Sequence, residues 1–187
     1  MGRPSLARVI SPDFSENLVS AARGDEHAFT VLVQPLIPVL RRFLQPLLRA
    51  DAEDALSETL IRIHARLGSF EGDVDDFRGW VFTIARNCAV DEHRRRFRWH
   101  RAIASSTRDG APDNVEEEAI RNVDKEVDRV LGMLTGAQRE VLLLRVVAGL
   151  SVEEAAKVTG RTTSSVKVIQ HRALRILKRR LKEGVTE

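Results

Sequence analysis

The chain has 187 residues and a net charge of only +3, a size that suits one or two small domains, each with a modest core. It contains no run of about eighteen apolar residues and no apolar signal-peptide core near its start, which argues against a spanning helix and predicts a cytoplasmic protein. Cys88 is the sole cysteine, so no internal disulfide can form, and the absence of a glycine-rich phosphate loop, a nucleophile elbow or a helix-borne histidine pair predicts no catalytic residue, metal site, cofactor or small-molecule substrate.

Leu, Ala, Val, Arg and Glu dominate, tyrosine is absent and no segment reads as a strand, so the predicted fold class is all-α. Charge is unevenly placed: arginines crowd 94–101, lysines and arginines crowd 167–182, and acids crowd 113–128. Two basic patches separated by an acidic connector suit a polyanion held at two places; solvated helix faces are the plainer alternative.

In chain order, 1–13 is a tail, and 14–23 reads as a short helix stopped by Gly24, with Asp25 able to cap the next. Residues 26–49 stay apolar, but Pro35, Pro38 and Pro46 predict a kinked or broken helix, since each removes a backbone donor. In "DAEDALSETLIRIHARLGSF", Leu56, Leu60, Ile63 and Leu67 form one helical stripe, and Asp51, Asp54 and Glu58 share another face with Arg62 and Arg66 further along. Gly68 ends that helix and 69–76 reads as a loop. A helix then starts near Asp76, with Phe77, Val81, Ile84, Ala85 and Cys88 apolar and Arg86, Asn87, Asp91 and Arg94 polar. Cys88 reads as a small buried hydrophobe. The pattern fails after Trp99, and 102–119 has the small, polar, Gly- and Pro-containing composition of a flexible linker.

A second domain, 120–187, opens with a helix over 119–134, followed by "GAQREVLLLRVVAG", "VEEAAKVTG" and a long final helix through Leu181. Thr135 with Gln138 and Ser151 with Glu154 have capping-box spacing. Ala156, Gly160 and Val166 carry the helix-turn-helix arithmetic: a small residue where two helices cross, a glycine able to take the left-handed turn, and a β-branched anchor. Lys167, His171, Arg172 and Arg175 project from the second helix while Val166, Ala173 and Leu177 face inward, which suits a helix laid in the major groove.

Three segments resemble the extracytoplasmic-function (ECF, group IV) sigma factors of the sigma-70 family. "DAEDALSETLIRIHARL" is similar to region 2.2, "FRGWVFTIARNCAVDEHRRR" to regions 2.3 and 2.4, and "LTGAQREVLLLRVVAGLSVEEAAKVTG" with "VKVIQHRALRILKRRL" to regions 4.1 and 4.2, in the family's order and spacing. The resemblance implies two small helical domains, sigma region 2 over 14–101 and sigma region 4 over 120–187. It implies that Asp51, Glu53, Asp54 and Glu58 dock on the clamp coiled coil of the large subunit of core RNA polymerase, with the polymerase flap as a further partner. Arg86, Asn87, Arg94, Arg95 and Arg96 would hold the melted minus-ten element of promoter DNA, with the loop 69–76 capping an extruded base. Ser164, Ser165, Lys167, Val168, His171 and Arg172 would contact the minus-thirty-five duplex. An anti-sigma factor, often at the membrane, is the further partner implied. Arg161 and Val168-Ile169-Gln170 depart from the family's usual residues. Trp80 has two readings, a core aromatic or a stacking surface at the melted junction. The other functional class open to this sequence is a helix-turn-helix regulator that binds duplex DNA alone, as a dimer.

Overall fold

The computed structural model describes residues 13–106 and 129–183, and among these every regular element is helical. The linker from 107 onward, the acidic connector, the N-terminal tail through 12 and the first part of the helix read over 119–134 lie outside the described residues.

Five helices build the first domain. α1 (Phe14–Ala22) ends before Gly24, which takes φ 96°, and α2 (Glu26–Val33) starts under Asp25, whose carboxylate accepts from the N–H groups of His27 (2.9 Å) and Ala28 (3.1 Å). The three prolines act differently. The chain turns at 34–36, around Pro35; Pro38 sits in the first turn of α3 (Ile37–Leu48), where no intrahelical donor is missed. Pro46 lies inside the last turn of α3, which continues past it to Leu48, so of the kinked or broken helix expected here the break falls at the first proline and not at the third. A short 3-10 turn, Arg49–Asp51, leads into α4 (Ala52–Arg66), which buries Ala52, Ala55, Leu56, Thr59 and Ile63. Thr59 is accommodated because its hydroxyl donates to the Ala55 carbonyl at 2.6 Å.

α5 (Val74–Ser106) is the backbone of the domain. Asp73 caps it, accepting from Asp75 and Asp76 N–H at 2.9 Å each, so the helix starts two residues before the expected Asp76. It also continues to Ser106, past the 101 boundary and into the stretch read as linker. Ala102 and Ile103 follow the arginines and sustain the helix where composition alone suggested its end. Its apolar stripe is fully packed: Phe77, Val81, Phe82 and Ala85 have no exposed surface, and Ile84 and Cys88 retain 3% each. Phe82 meets Phe43 of α3 edge-on at 5.4 Å, and Phe77 lies 5.4 Å from both Phe14 and Phe70. Trp80 is half-buried against Phe70 (5.0 Å) and Phe77 (5.8 Å), which joins it to the edge of this cluster.

The second domain holds α6 (Gly136–Val146), α7 (Val152–Thr159) and α8 (Thr163–Glu183), preceded by a helical turn over 129–132. Both capping boxes are formed: Thr135 with Gln138 opens α6, and Ser151 with Glu154 opens α7. The turn between α7 and α8 follows the predicted arithmetic. Ala156 is 6% exposed, Val166 is fully buried, and Gly160 adopts φ 64°, ψ 30°.

A Cβ added at Gly160 meets nothing within 4 Å, so its substitution is penalised by backbone conformation alone. Gly160→Ala is expected to lower stability by about 1–2 kcal/mol, and Gly160→Asn by less, because Asn tolerates the left-handed region. Urea titration of both variants checks the order; equal stability of wild type and Gly160→Ala would contradict it.

Candidate nucleic-acid interface

The rotation of α5 decides which side chains reach solvent. With Phe77, Val81, Ile84 and Cys88 turned into the bundle, Asn87, Arg94, Arg95 and Arg96 are exposed, together with Arg98, Arg101, Phe97 (64%) and Trp99 (61%). The Arg101 guanidinium sits 6.0 Å from the centre of the Phe97 ring. Two of the arginines carry partners: Arg95 binds Glu92 one turn back at 2.9 Å, and Arg96 binds Asp51 across the bundle at 2.8 Å. These pairs involve exposed arginines and hold them in place without neutralising the patch as a whole.

Arg86 is placed differently from the other four residues predicted beside it. It is 25% exposed at the side chain, and its Nε donates to Glu140 Oε1 of α6 at 2.7 Å. Arg78, one face over, is 8% exposed and donates to Glu154 Oε1 of α7 at 2.9 Å, with Asp75 at 3.3 Å. Arg139 adds a longer bond to the Pro46 carbonyl of α3 at 3.4 Å, besides capping the Leu131 carbonyl at 3.0 Å. The second domain therefore packs on α5 and α3 through charged groups. None of these contacts was legible in the sequence. Arg78 offers one signal, a cation beside Phe77 on the helix that forms the core, but nothing in the sequence points to Glu140 or Glu154 as its or Arg86's partner.

Of the acidic residues at the start of α4 and in the turn before it, three are paired with arginines of the same domain. Glu53 accepts from Arg41 at 2.7 Å, Glu58 from Arg62 at 2.6 Å, and Asp51 from Arg96, while Asp54 is exposed. The Arg41 hydrogen bond holds the Glu53 carboxyl below its ordinary range. Arg62 also binds Asp91 of α5 at 2.9 Å, tying the two helices together. Cys88 is buried, and burial pushes its thiol up, which keeps it protonated and inert.

On α8, Ser164, Lys167, Val168, His171 and Arg172 are exposed and Ser165 is half-buried. The first turn is tied by Thr162, whose hydroxyl accepts from the Ser165 N–H at 3.2 Å. Of the unusual Val168-Ile169-Gln170 run, only Val168 faces out. Ile169 packs on the core, and Gln170 accepts from Arg145 of α6 at 3.1 Å, so two of the three departures serve packing. Arg145 also bonds the Leu150 carbonyl, which fixes α6 to the turn before α7. Arg161 is exposed, its N–H bonded to Ala156 O at 3.0 Å. An outward row of cations and hydrogen-bonding side chains on a rigid helix can read base edges and hold phosphates. Among the described residues no group of three or more His, Cys, Asp or Glu is arranged to hold a metal, and no single helix is long and apolar enough to cross a membrane.

The chain matches the family described as Sigma-70 region 2 over residues 32–99 and the family described as Sigma-70, region 4 over residues 124–177. It is similar to the ECF RNA polymerase sigma factor BldN of Streptomyces coelicolor, 33% identical over 168 residues, which span 86% of this chain and 63% of BldN. It is also similar to the ECF RNA polymerase sigma factor SigL of Mycobacterium tuberculosis, 31% identical over 189 residues, covering 97% of this chain and 99% of SigL. Among solved structures, the sigma factor RpoE in complex with the anti-sigma factor NepR from Bartonella quintana superposes with a TM-score of 0.64 at 26% identity, over 92% of this chain and 98% of that one.

Glu154 supplies a pH test of the domain contact. Burial pushes its carboxyl up, but the Ser151 N–H and hydroxyl and the Arg78 guanidinium outweigh burial and leave it below the ordinary glutamate value. Arg78, with Asp75 behind it, is what faces it from α5. A depressed carboxyl contributes stability that is present above the unfolded value of about 4.3 and is lost as pH falls through the folded value. The stability difference between wild type and Glu154→Gln, followed by urea midpoint, is expected to be full at neutral pH and to shrink on acidification below about pH 4.

Proposed function

The chain belongs to the ECF sigma factors of the sigma-70 family, and from that membership we propose how its two domains divide promoter-specific initiation between them. The first domain, 14–101 extended by the rest of α5, binds core RNA polymerase through the α4 face that carries Asp51, Glu53, Asp54 and Glu58, against the clamp coiled coil of the large subunit. The same domain holds the melted minus-ten strand. Asn87 can both donate to and accept from one base edge, and Arg94, Arg95 and Arg96, joined by Arg86, neutralise the strand's phosphates. The second domain, 120–187, reads the minus-thirty-five duplex with Ser164, Ser165, Lys167, Val168, His171 and Arg172, and meets the polymerase flap.

The chain acts by binding, with no covalent chemistry of its own. Free energy for strand separation comes from unpaired bases and phosphates being bound better in the open state than in the duplex. It works in the cytoplasm on core polymerase, and an anti-sigma factor restrains it, as NepR is bound to RpoE in the solved complex. The observation that carries this reading is the pairing of two cation-bearing helices, α5 and α8, each in a domain of its own matched family region. A regulator that binds duplex DNA alone needs only the second of these.

Run-off transcription with core polymerase on a genomic library tests the proposal and yields the promoter sequence. Tight binding of the purified chain to duplex DNA, with no effect on core initiation, would point instead to the stand-alone regulator. Replacing Arg94, Arg95 and Arg96 together by Ala is expected to weaken promoter opening, read by permanganate footprinting, more than core binding. Equal loss in both assays would mean that the arginine run is structural. Lys167→Ala with Arg172→Ala is expected to lower the slope of log affinity against log salt by about two for duplex DNA, since each phosphate contact contributes about 0.9.

A further inference from the structure

The outward face of α8 carries one side chain that a solvated, cation-bearing surface does not call for. Val168 is 49% exposed, in the second turn of the helix, among Ser164, Lys167, His171 and Arg172. Valine is a poor choice for a solvated helix position, because its branched Cβ loses rotamer freedom that straight-chain residues keep. Packing does not require it either. Ile169, Ile176 and Leu177 set this helix against the core, beside the buried Val166 and Ala173, and Gln170 is held by Arg145. Of the three departures at 168–170, Val168 is thus the one that the fold leaves without a role. We propose that Val168 reads the C5 methyl group of a thymine in the major groove of the minus-thirty-five duplex, and so sets one base of the promoter sequence. This inference rests on the duplex-reading role proposed above for α8.

The phase of the helix supports it. Val166 and Ala173 define the buried side of α8. At 100° per residue, Val168 stands about 30° from the line opposite that side, and Ser164, His171 and Arg175 lie around the same line. Lys167 and Arg172 stand about 70° from it, one on either side. A helix laid in the major groove has a phosphate backbone along each flank and base edges beneath it. The two cations therefore reach toward the flanks, and Val168 toward the floor. Leu174, exposed at 44%, lies about 90° from that line and outside the base-facing strip.

The chemistry selects one base. Thymine is the base whose major-groove edge presents an apolar group, while adenine and cytosine present N–H donors there and guanine presents acceptors. A valine laid against any of those polar groups strips water from it and returns no hydrogen bond, so the penalty on wrong bases adds to the gain on the right one. Val168 is also organised in advance: valine in a helix holds essentially one χ1 rotamer, and little freedom is lost on contact.

The test uses the full chain bound to core polymerase and the duplex that this complex selects from a random-sequence pool. Deoxyuridine is placed at each thymine of the selected upstream element in turn, which removes the methyl group and keeps the base pair. Wild type is expected to bind about fourfold more weakly at one of those positions, the size of one methyl group returned to water. Val168→Ala, which installs a better helix former, is expected to bind the thymine and deoxyuridine duplexes equally and to relax the base selected there. Lys167→Ala loses a phosphate contact, so it is expected to weaken both duplexes alike and to keep the fourfold ratio. An element without thymine, no response to deoxyuridine at any thymine, a ratio that survives Val168→Ala, or a ratio abolished by Lys167→Ala overturns the methyl contact. If wild type initiates with core polymerase, any of those results removes the methyl contact and leaves the promoter reading standing. If it does not initiate, the series is run on a duplex selected by the chain alone, and discrimination that depends on Val168 keeps the contact and removes the promoter reading. Failure of both selections to yield a duplex overturns both.

Discussion

The burial of one stripe of α5 against α3 and α4 is the interaction on which the remaining structure depends. Phe77, Val81, Phe82, Ile84 and Cys88 are almost entirely removed from water, and each large apolar side chain so buried contributes about 1.5–3 kcal/mol. That sum fixes the rotation of the helix about its axis. A shift of one residue turns the helix by about 100°, which in one sense would carry Asn87 into the buried position of Cys88. The direction in which Asn87 and the arginines point is therefore set by phenylalanines that touch no ligand. The same rotation presents Arg78 and Arg86 to the second domain. Core packing, nucleic-acid surface and domain contact are three faces of one cylinder.

The ion pairs fall into two energetic classes, and the division follows burial. Arg41 with Glu53 is more than half exposed on both sides, and pairs of that kind, screened by water and salt, contribute little. The acidic row of α4 can exchange such partners for an external surface at little loss. The pairs between domains are shielded, and removing one member of a fully buried pair costs about 3–5 kcal/mol. Arg86 with Glu140 lies between these limits, at 25% and 15% exposure. Exposed pairs within the first domain and shielded pairs between the domains are thus built from the same kinds of side chain, differing in the water around them.

Local chemistry explains what could be read from the sequence. Asp25, Thr135 and Ser151 cap their helices because a side-chain oxygen one or two bonds from the backbone needs no distant partner. Ala156, Gly160 and Val166 were legible for the same reason: six to ten residues hold the whole turn. The boundaries of α5 were less so. With Asp73 as its cap the helix starts two residues ahead of the expected Asp76, and the end at Ser106 follows from helix-forming residues after the arginines, where the loss of apolar periodicity suggested a stop. Fading amphipathicity marks where a helix leaves its core, which differs from where the helix ends. Gln170 and Ile169, which depart from the family's usual residues, are packing residues, Gln170 held by Arg145 and Ile169 set against the core. The contacts of Arg78 and Arg86 span 76 and 54 residues, and no local pattern encodes pairings at that separation.

Because α5 outlasts its core, it also serves as a ruler. Among the residues whose burial is described, Ala89 is the last buried one on the helix, which runs on to Ser106. At 1.5 Å per residue, Asn87 and Arg101 are held about 21 Å apart, the length of about six stacked nucleotides at 3.4 Å each. A polymer that touches both ends of this rod is measured by it. Insertion or deletion of a single residue between them would change the span by only about 1.5 Å but swing Arg101 through about 100°, so the rod tolerates small errors in distance and none in phase.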